Sequence, residues 1–239
     1  MNACLEESFM RKSKLITAIA AGIIILSSTV SAVSCGSGGA TTLPNGEIRQ
    51  YQGQNLSSTN DFRDASIDGP QQIDVNSYRL LVDGLVANSG NYTYDQVTGN
   101  FTNYQKVVEL DCVEGWSVKI LWQGVQVRDL LALAKPLPTA KVVIFHAYDG
   151  YTTSFPIDYI MNNPIIMAYK ENDVTLSPER GYPFMLVAEM KWGYKWIEWI
   201  TQIELSDDIN YQGYWEERGY SNSGDLNKGF FDTSTPTPF

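Results

Sequence analysis

At 239 residues the chain is long enough for one substantial hydrophobic core, and no shift in composition marks a second one. Seventeen basic residues against 27 acidic ones give a formal charge of −10 without a basic patch, which excludes nucleic acid as a partner. A single histidine, His146, excludes zinc centres built from histidine clusters, while oxygen-only metal sites stay open.

In chain order, Arg11, Lys12 and Lys14 precede an apolar run from Leu15 to Val33, and small residues then lead into Cys35-Gly36-Ser37, the layout of an export signal. Ala32-Val33-Ser34-Cys35 reads as a lipoprotein cleavage box with lipidation at Cys35; an uncleaved membrane helix is the alternative. Residues 1–34 are thus expected to be an export signal, 35–58 a lipidated, flexible tether, 59–222 the folded domain and 223–239 a tail. The domain is expected outside the cytoplasm, in the periplasm or on the outer face of the cell membrane, held by its N-terminal anchor.

Within the domain, Tyr78–Val86 reads as a strand and residues 88–103 as a polar turn region. Val107, Val108 and Leu110 form a second strand pattern ending at Asp111, and after a break at Gly115 the pattern resumes from Ser117 to Val127. Val127, Leu130, Leu131 and Ala134 have helical spacing, stopped by Lys135-Pro136. Lys141–Phe145 predicts a strand that delivers His146, and Trp199–Leu205 another, followed by an aromatic closing segment, Tyr211–Ser221.

Of three cysteines, Cys4 lies before the basic region and Cys35 is the lipid site, so Cys112 has no intramolecular disulfide partner in the folded part. It is either a small buried apolar residue or a thiolate serving as nucleophile or soft-metal ligand. A strand end is where sites are commonly built. The flanking Asp111 and Glu114 would raise a thiol pKa and make a poor free nucleophile, an argument that a coordinated metal cation reverses.

CVEGWS, the following W-x-G-V-x-V-x-x-LL, then GYPFMLVAEMKWGYKWIEWITQIEL and GYWEERGYS together resemble the molybdopterin-binding domain of the sulfite oxidase family. The resemblance covers about residues 55–222 and is nearest to short bacterial and archaeal members, which include the periplasmic methionine sulfoxide reductase catalytic subunit. It implies a single α+β domain, mixed and strand-rich, carrying molybdenum-molybdopterin. Cys112 would be the metal ligand and Glu114 a catalytic proton carrier. Asn60, Arg63, Asp64, His146, Ala147, Arg180, Lys195 and the backbone of Trp196 and Ile197 would hold the cofactor, Lys195 near its phosphate. The chain departs from relatives at Ala147, where a threonine is usual, at Met185, where many have arginine, and at Glu198, where many have lysine.

The resemblance implies two-electron oxygen-atom transfer, with reduction of a sulfoxide or similar small substrate favoured over sulfite oxidation because basic residues are few around these blocks. Cys-x-x-Cys-His is absent, so no haem is expected in this chain and electrons would pass through a separate partner, such as a membrane haem or quinone-linked protein. A non-catalytic binding module retaining the fold, or an unrelated aromatic β domain with a merely buried Cys112, are the alternatives.

Overall fold

Short runs of β-branched and aromatic residues, punctuated by Gly, Asn and Pro, build strands joined by tight turns, and a computed structural model describes them over residues 42–231. The expected export signal and Cys35 lie outside the described residues. The elements are β1 (Gln50–Tyr51), β2 (Gln54–Asn55), β3 (Leu80–Gly84), β4 (Gly90–Tyr92), α1 (Tyr94–Asn100), β5 (Tyr104–Asp111), β6 (Ser117–Gln126) and α2 (Val127–Ala134). They continue with β7 (Val142–Ala147), β8 (Thr152–Pro156), α3 (Ile157–Asn162), β9 (Ile166–Glu171), β10 (Val174–Thr175), β11 (Met185–Val187) and β12 (Ile200–Ser206).

Two five-stranded sheets result. One runs β10-β9-β6-β5 with β11 added against β9, and is antiparallel throughout. The other runs β4-β3-β12-β7-β8, where β12 lies parallel to β3 and every other pair is antiparallel. One core draws on both sheets, with Trp122 and Met167 from the first and Leu80, Phe145 and Ile203 from the second. Each such buried side chain contributes about 1.5–3 kcal/mol relative to exposure. The helices are few and short, so the α+β, strand-rich expectation holds.

α2 buries the four residues that its spacing predicts, and Lys135, in the left-handed region at φ 57°, ends it by donating its N–H to Leu131 O at 2.9 Å. The expected polar turn over 88–103 instead contains β4 and α1. Thr93 and Gln96 form a reciprocal capping box there, and Val97 is the single buried residue of the helix, too little apolar periodicity to announce itself.

The expected tether and tail both need correction. Ile48 and Leu56 are buried with Leu121. Asn172 ties that segment down, donating to Ser57 O at 2.8 Å and Glu47 Oε1 at 3.2 Å while its own Oδ1 accepts from Leu121 N at 3.0 Å. Past residue 222, Lys191 Nζ donates to Asp225 Oδ1 at 2.6 Å and Ser223 O at 2.8 Å, and Leu226 N donates to Met190 O. Polar composition concealed both segments because their anchors are hydrogen bonds to distant residues, which composition does not record.

Candidate active site

Cys112 is presented by the β5–β6 hairpin. Its register pairs Leu110 with Val118 and Asp111 with Ser117, leaving residues 112–116 to reverse the chain. Cys112 N donates to Trp116 O at 2.9 Å and Gly115 N to Cys112 O at 3.0 Å, with Gly115 at φ +84°, a conformation that costs glycine little. Gly193 packs on this hairpin: a Cβ there would stand 3.3 Å from Asp111 O and 3.5 Å from Cys112 Cα. The thiol is therefore clamped between the hairpin and the 193–199 loop.

That loop is fixed from its far end by Trp199, whose φ of +51° is strained for a bulky residue. The strain persists because the residue is over-determined. Its N–H donates to Gly181 O at 3.3 Å, its indole Nε1 to Pro178 O at 2.8 Å, and its carbonyl accepts from Tyr148 N at 3.0 Å. The turn carrying Arg180 and the loop carrying Glu198 are thus tied together through Trp199.

Between these parts lies a cavity of about 430 Å³. Cys112, Val113, Glu114 and Trp116 form one wall, Phe62 to Ile67 another, and Arg180, Met185, Trp196, Ile197, Glu198 and Trp199 a third. Asp149, Tyr151, Trp215 and Tyr220 complete it. Its size and its mixture of aromatic walls with six ionisable side chains, Arg63, Asp64, Glu114, Asp149, Arg180 and Glu198, suit a small-molecule or cofactor site.

Burial pushes the Cys112 thiol pKa up, helped by the Glu114 charge, while the N–H groups of Glu114 and Val113 and the Arg63 guanidinium pull the other way. In the absence of a cation it is a thiol. Burial likewise pushes Glu198 up to about 8, with Asp64 and Asp149 adding to the rise and Arg180 opposing it. Burial also raises Asp149, whereas hydrogen bonds from Ser66 hold Asp64 below the usual carboxylate range.

Neither guanidinium in the cavity is in an ion pair among the described residues. Arg180 donates only to Glu179 O and stacks over the Phe62 ring at 4.6 Å. No group of three His, Cys, Asp or Glu side chains among the described residues could hold a metal. A metal in this cavity would take one protein sulfur and bring its remaining donors with it. A metal chelated by an organic dithiolene that also bears a phosphate meets that requirement, with Cys112 as the sulfur and Arg63 and Arg180 as phosphate donors.

Of the residues the sequence nominated, Arg63, Asp64, Cys112, Glu114, Arg180, Trp196 and Ile197 line this cavity. Four do not. Asn60 is exposed in the turn before Phe62, and Phe62 takes the wall position instead. His146 Nε2 pairs with Glu204 Oε2 at 2.9 Å across β7 and β12, and Ala147 is buried in β7. Lys195 is the largest correction: its side chain is fully buried behind the loop, donating to Glu216 Oε1 at 2.5 Å, Ser154 O at 2.8 Å and Asn222 O at 3.0 Å. A basic residue between aromatics resembles a phosphate ligand in sequence, but the 3₁₀ turn over Gly193–Lys195 rotates it toward the core.

Tyr151, Trp199, Trp215 and Tyr220 are cavity residues that the sequence did not nominate. Trp215 and Tyr220 come from the closing aromatic segment, and the buried Lys195–Glu216 pair brings that segment over the cavity. Its aromatic density was the available signal. Tyr151 donates its hydroxyl to Tyr194 O, and burial holds that phenol un-ionised.

Residues 67–215 match the model of the oxidoreductase molybdopterin-binding domain. The chain is 33% identical over 159 residues to the "Uncharacterized oxidoreductase YuiH" of Bacillus subtilis, covering 66% of this chain and 79% of that one. It is 30% identical over 154 residues to the "Putative protein-methionine-sulfoxide reductase subunit YedZ1" of Azospira oryzae, covering 64% of this chain and 58% of that one. Among solved structures, the sulfane dehydrogenase SoxCD of Paracoccus pantotrophus superposes with a TM-score of 0.57 at 22% identity, covering 65% of this chain and 43% of that one, a likeness of fold. With its fold, its lone cavity thiol and this match over most of its length, the chain belongs to the molybdopterin-binding oxidoreductases of the sulfite oxidase family.

Proposed function

We propose that the protein is an exported, membrane-tethered enzyme that removes an oxygen atom from a neutral sulfoxide or a similarly small oxygenated substrate. The observation that carries this reading is the cavity's charge. Asp64, Glu114, Asp149 and Glu198 face it against Arg63 and Arg180, so carboxyl groups outnumber guanidiniums even with Glu198 protonated. An anion such as sulfite would meet net repulsion in a partly desolvated chamber, where Coulomb energies exceed those in water. The aromatic rim of Trp116, Trp215 and Tyr220 suits an uncharged organic substituent.

In such a reduction the sulfur–oxygen bond breaks, two electrons and two protons are taken up, and water leaves. When bound, molybdenum-molybdopterin supplies the two-electron redox chemistry. Cys112 would hold the metal, and the hairpin backbone fixes where its sulfur stands. Arg63 and Arg180 would orient the phosphate. Glu114, hydrogen-bonded to the Trp116 indole at 3.2 Å and open to the cavity, would carry protons between solvent and substrate. The indoles and the closing segment narrow the access of bulk water.

A separate electron-transfer partner, a membrane haem or quinone-linked protein, would recharge the enzyme; the Azospira oryzae relative is itself named as a subunit. The leader and Cys35 support tethering outside the cytoplasm. The test is turnover of dimethyl sulfoxide and methionine sulfoxide with a reduced dye, beside sulfite oxidation with an oxidised one. Sulfoxide reduction at least tenfold faster is expected; preferential sulfite oxidation would overturn the reading.

A further inference from the structure

We propose that the aromatic outer face formed by the closing segment, residues 223–231 and the 190–192 turn is the docking surface for the electron donor, a haem protein whose contact is apolar at its centre and basic around it. This rests on the reading of the protein as an oxygen-removing reductase. Six large apolar side chains make the face: Met190, Trp192, Trp215, Tyr220, Phe230 and Phe231. Met190 is 63% exposed and Phe231 54% exposed, and none of the six belongs to the main core. The rings pack on one another instead. Their centroids lie 5.5 Å apart for Trp192 and Phe230, 4.9 Å for Phe230 and Phe231, 4.8 Å for Tyr220 and Phe231, and 5.2 Å for Trp215 and Tyr220. A contiguous surface of aromatic rings and methionine outside the core has the composition of the centre of a protein contact.

Hydrogen bonds fix this face in the free protein. Trp192 N donates to Gly224 O at 2.8 Å and its indole to Lys228 O at 3.1 Å, while Leu226 N donates to Met190 O at 3.0 Å and Ser221 N to Phe230 O at 2.9 Å. Met190 is held at φ +68°, an uncommon conformation for a side chain left in solvent. Rings already fixed against one another lose little freedom when a partner covers them.

Charge selects the occupant. Residues 189–195 and 211–231 hold four basic residues, Lys191, Lys195, Arg218 and Lys228, and four acidic ones, Glu189, Glu216, Glu217 and Asp225, so the whole formal charge of −10 lies on the rest of the chain. A second copy would meet like charge around the contact, and so would an anionic lipid surface. A basic protein is drawn in by the same field, and the neutral window lets its apolar centre dock without burying an unpaired charge. Trp215 and Tyr220 are also cavity walls, so the ring cluster runs from the outer face to the site of reduction. Each turnover takes one electron from each of two ferrous haems, which become ferric, and two protons from solvent; the sulfur–oxygen bond breaks and water leaves.

The molybdenum-loaded full chain is titrated by calorimetry with a basic low-potential cytochrome and, separately, with acidic cytochrome b5. Only the basic protein is expected to bind, about tenfold more weakly at high than at low salt. Phe231→Ser and Met190→Ser should each weaken that binding about tenfold and slow oxidation of the ferrous cytochrome by dimethyl sulfoxide, while turnover with a reduced small dye stays at the wild-type rate. Leu43→Ser, at an exposed apolar residue outside the face, should change neither. No binding of the basic cytochrome, preference for the acidic one, or binding that both face variants leave intact overturns the assignment. Attachment to phosphatidylcholine vesicles through Phe231 and Met190 would give the face to lipid, and a dimer dissolved by Phe231→Ser would give it to a second copy; either overturns the haem-protein assignment. Dye-driven sulfoxide reduction without cytochrome binding sinks this inference alone, whereas face-dependent cytochrome binding by a molybdenum-loaded chain that reduces no sulfoxide sinks the proposed reaction alone.

Discussion

Lys195 and Glu198 stand three residues apart on one loop and end in opposite situations. Lys195 turns to the back of the loop, fully buried, and meets three acceptors. Glu198 turns to the cavity and meets none among the described residues. The back of the loop spends its charge on structure, holding the closing segment 211–222 against β8, and the front leaves its charges open for a ligand. Chain proximity puts residues on one loop, but the backbone decides which face each serves. A lysine in a cofactor-proximal motif is therefore no evidence of a cofactor contact until its side chain is placed.

If the two faces are distinct, their variants should separate stability from chemistry. Cys112→Ser should have the largest effect on the front, removing molybdenum and all turnover while lowering the melting temperature by only about 2–4 °C, as expected for a cost near 1 kcal/mol. Metal analysis beside calorimetric melting checks it, and a molybdenum-replete serine variant would remove Cys112 as the ligand. On the back, Lys195→Met leaves Glu216 buried with Thr153 as its one remaining side-chain donor among the described residues and should cost about 3–5 kcal/mol. The double variant Lys195→Met with Glu216→Leu should recover much of that in urea unfolding, because no unpaired charge remains. Equal loss in both variants would mean that packing, rather than the buried charge, is what matters.

Away from both faces, Glu171 is buried in β9, and burial pushes its pKa up to about 8 from 4.5. Its folded form binds a proton that the unfolded chain releases, so its stabilising contribution is full below about pH 4.5 and is lost as pH rises toward 8. The loss is on the order of 5 kcal/mol, and Glu171→Gln should flatten unfolding free energy across that window. An unchanged slope would show that the carboxyl finds a compensating partner. Smallest of all, Lys119→Ala at the exposed pair with Glu109, 3.4 Å apart, should change stability by less than about 1 kcal/mol.

The sequence made the Cys112 wall readable because that wall is local: two strands, a glycine turn and the thiol lie within the 23 consecutive positions 104–126, and strand periodicity and turn chemistry are short-range physics. Arg63, Asp64, Arg180, Trp196 and Ile197 were nominated through resemblance, and the fold brings them to the same cavity. The failures share a cause. Asn60, His146 and Lys195 were placed by position in a motif, and each side chain points to a partner or surface set by a distant element. Trp215 and Tyr220 were missed for the converse reason, since contacts to distant residues carry their segment across the cavity: the buried ion pair to Lys195, Tyr214 N donating to Thr152 O and the Tyr194 hydroxyl donating to Ser221 O.

Composition, periodicity and motif order by themselves determined an acidic, strand-rich domain with one thiol on a strand end and a family identity, because those depend on residues near one another in the chain. Tertiary structure alone decided that residues 47–57 and 223–231 belong to the domain, that Lys195 is structural, and that Glu198 faces the cavity. Burial and long-range hydrogen bonds settle such matters, and both are properties of what surrounds a side chain after the chain has closed on itself.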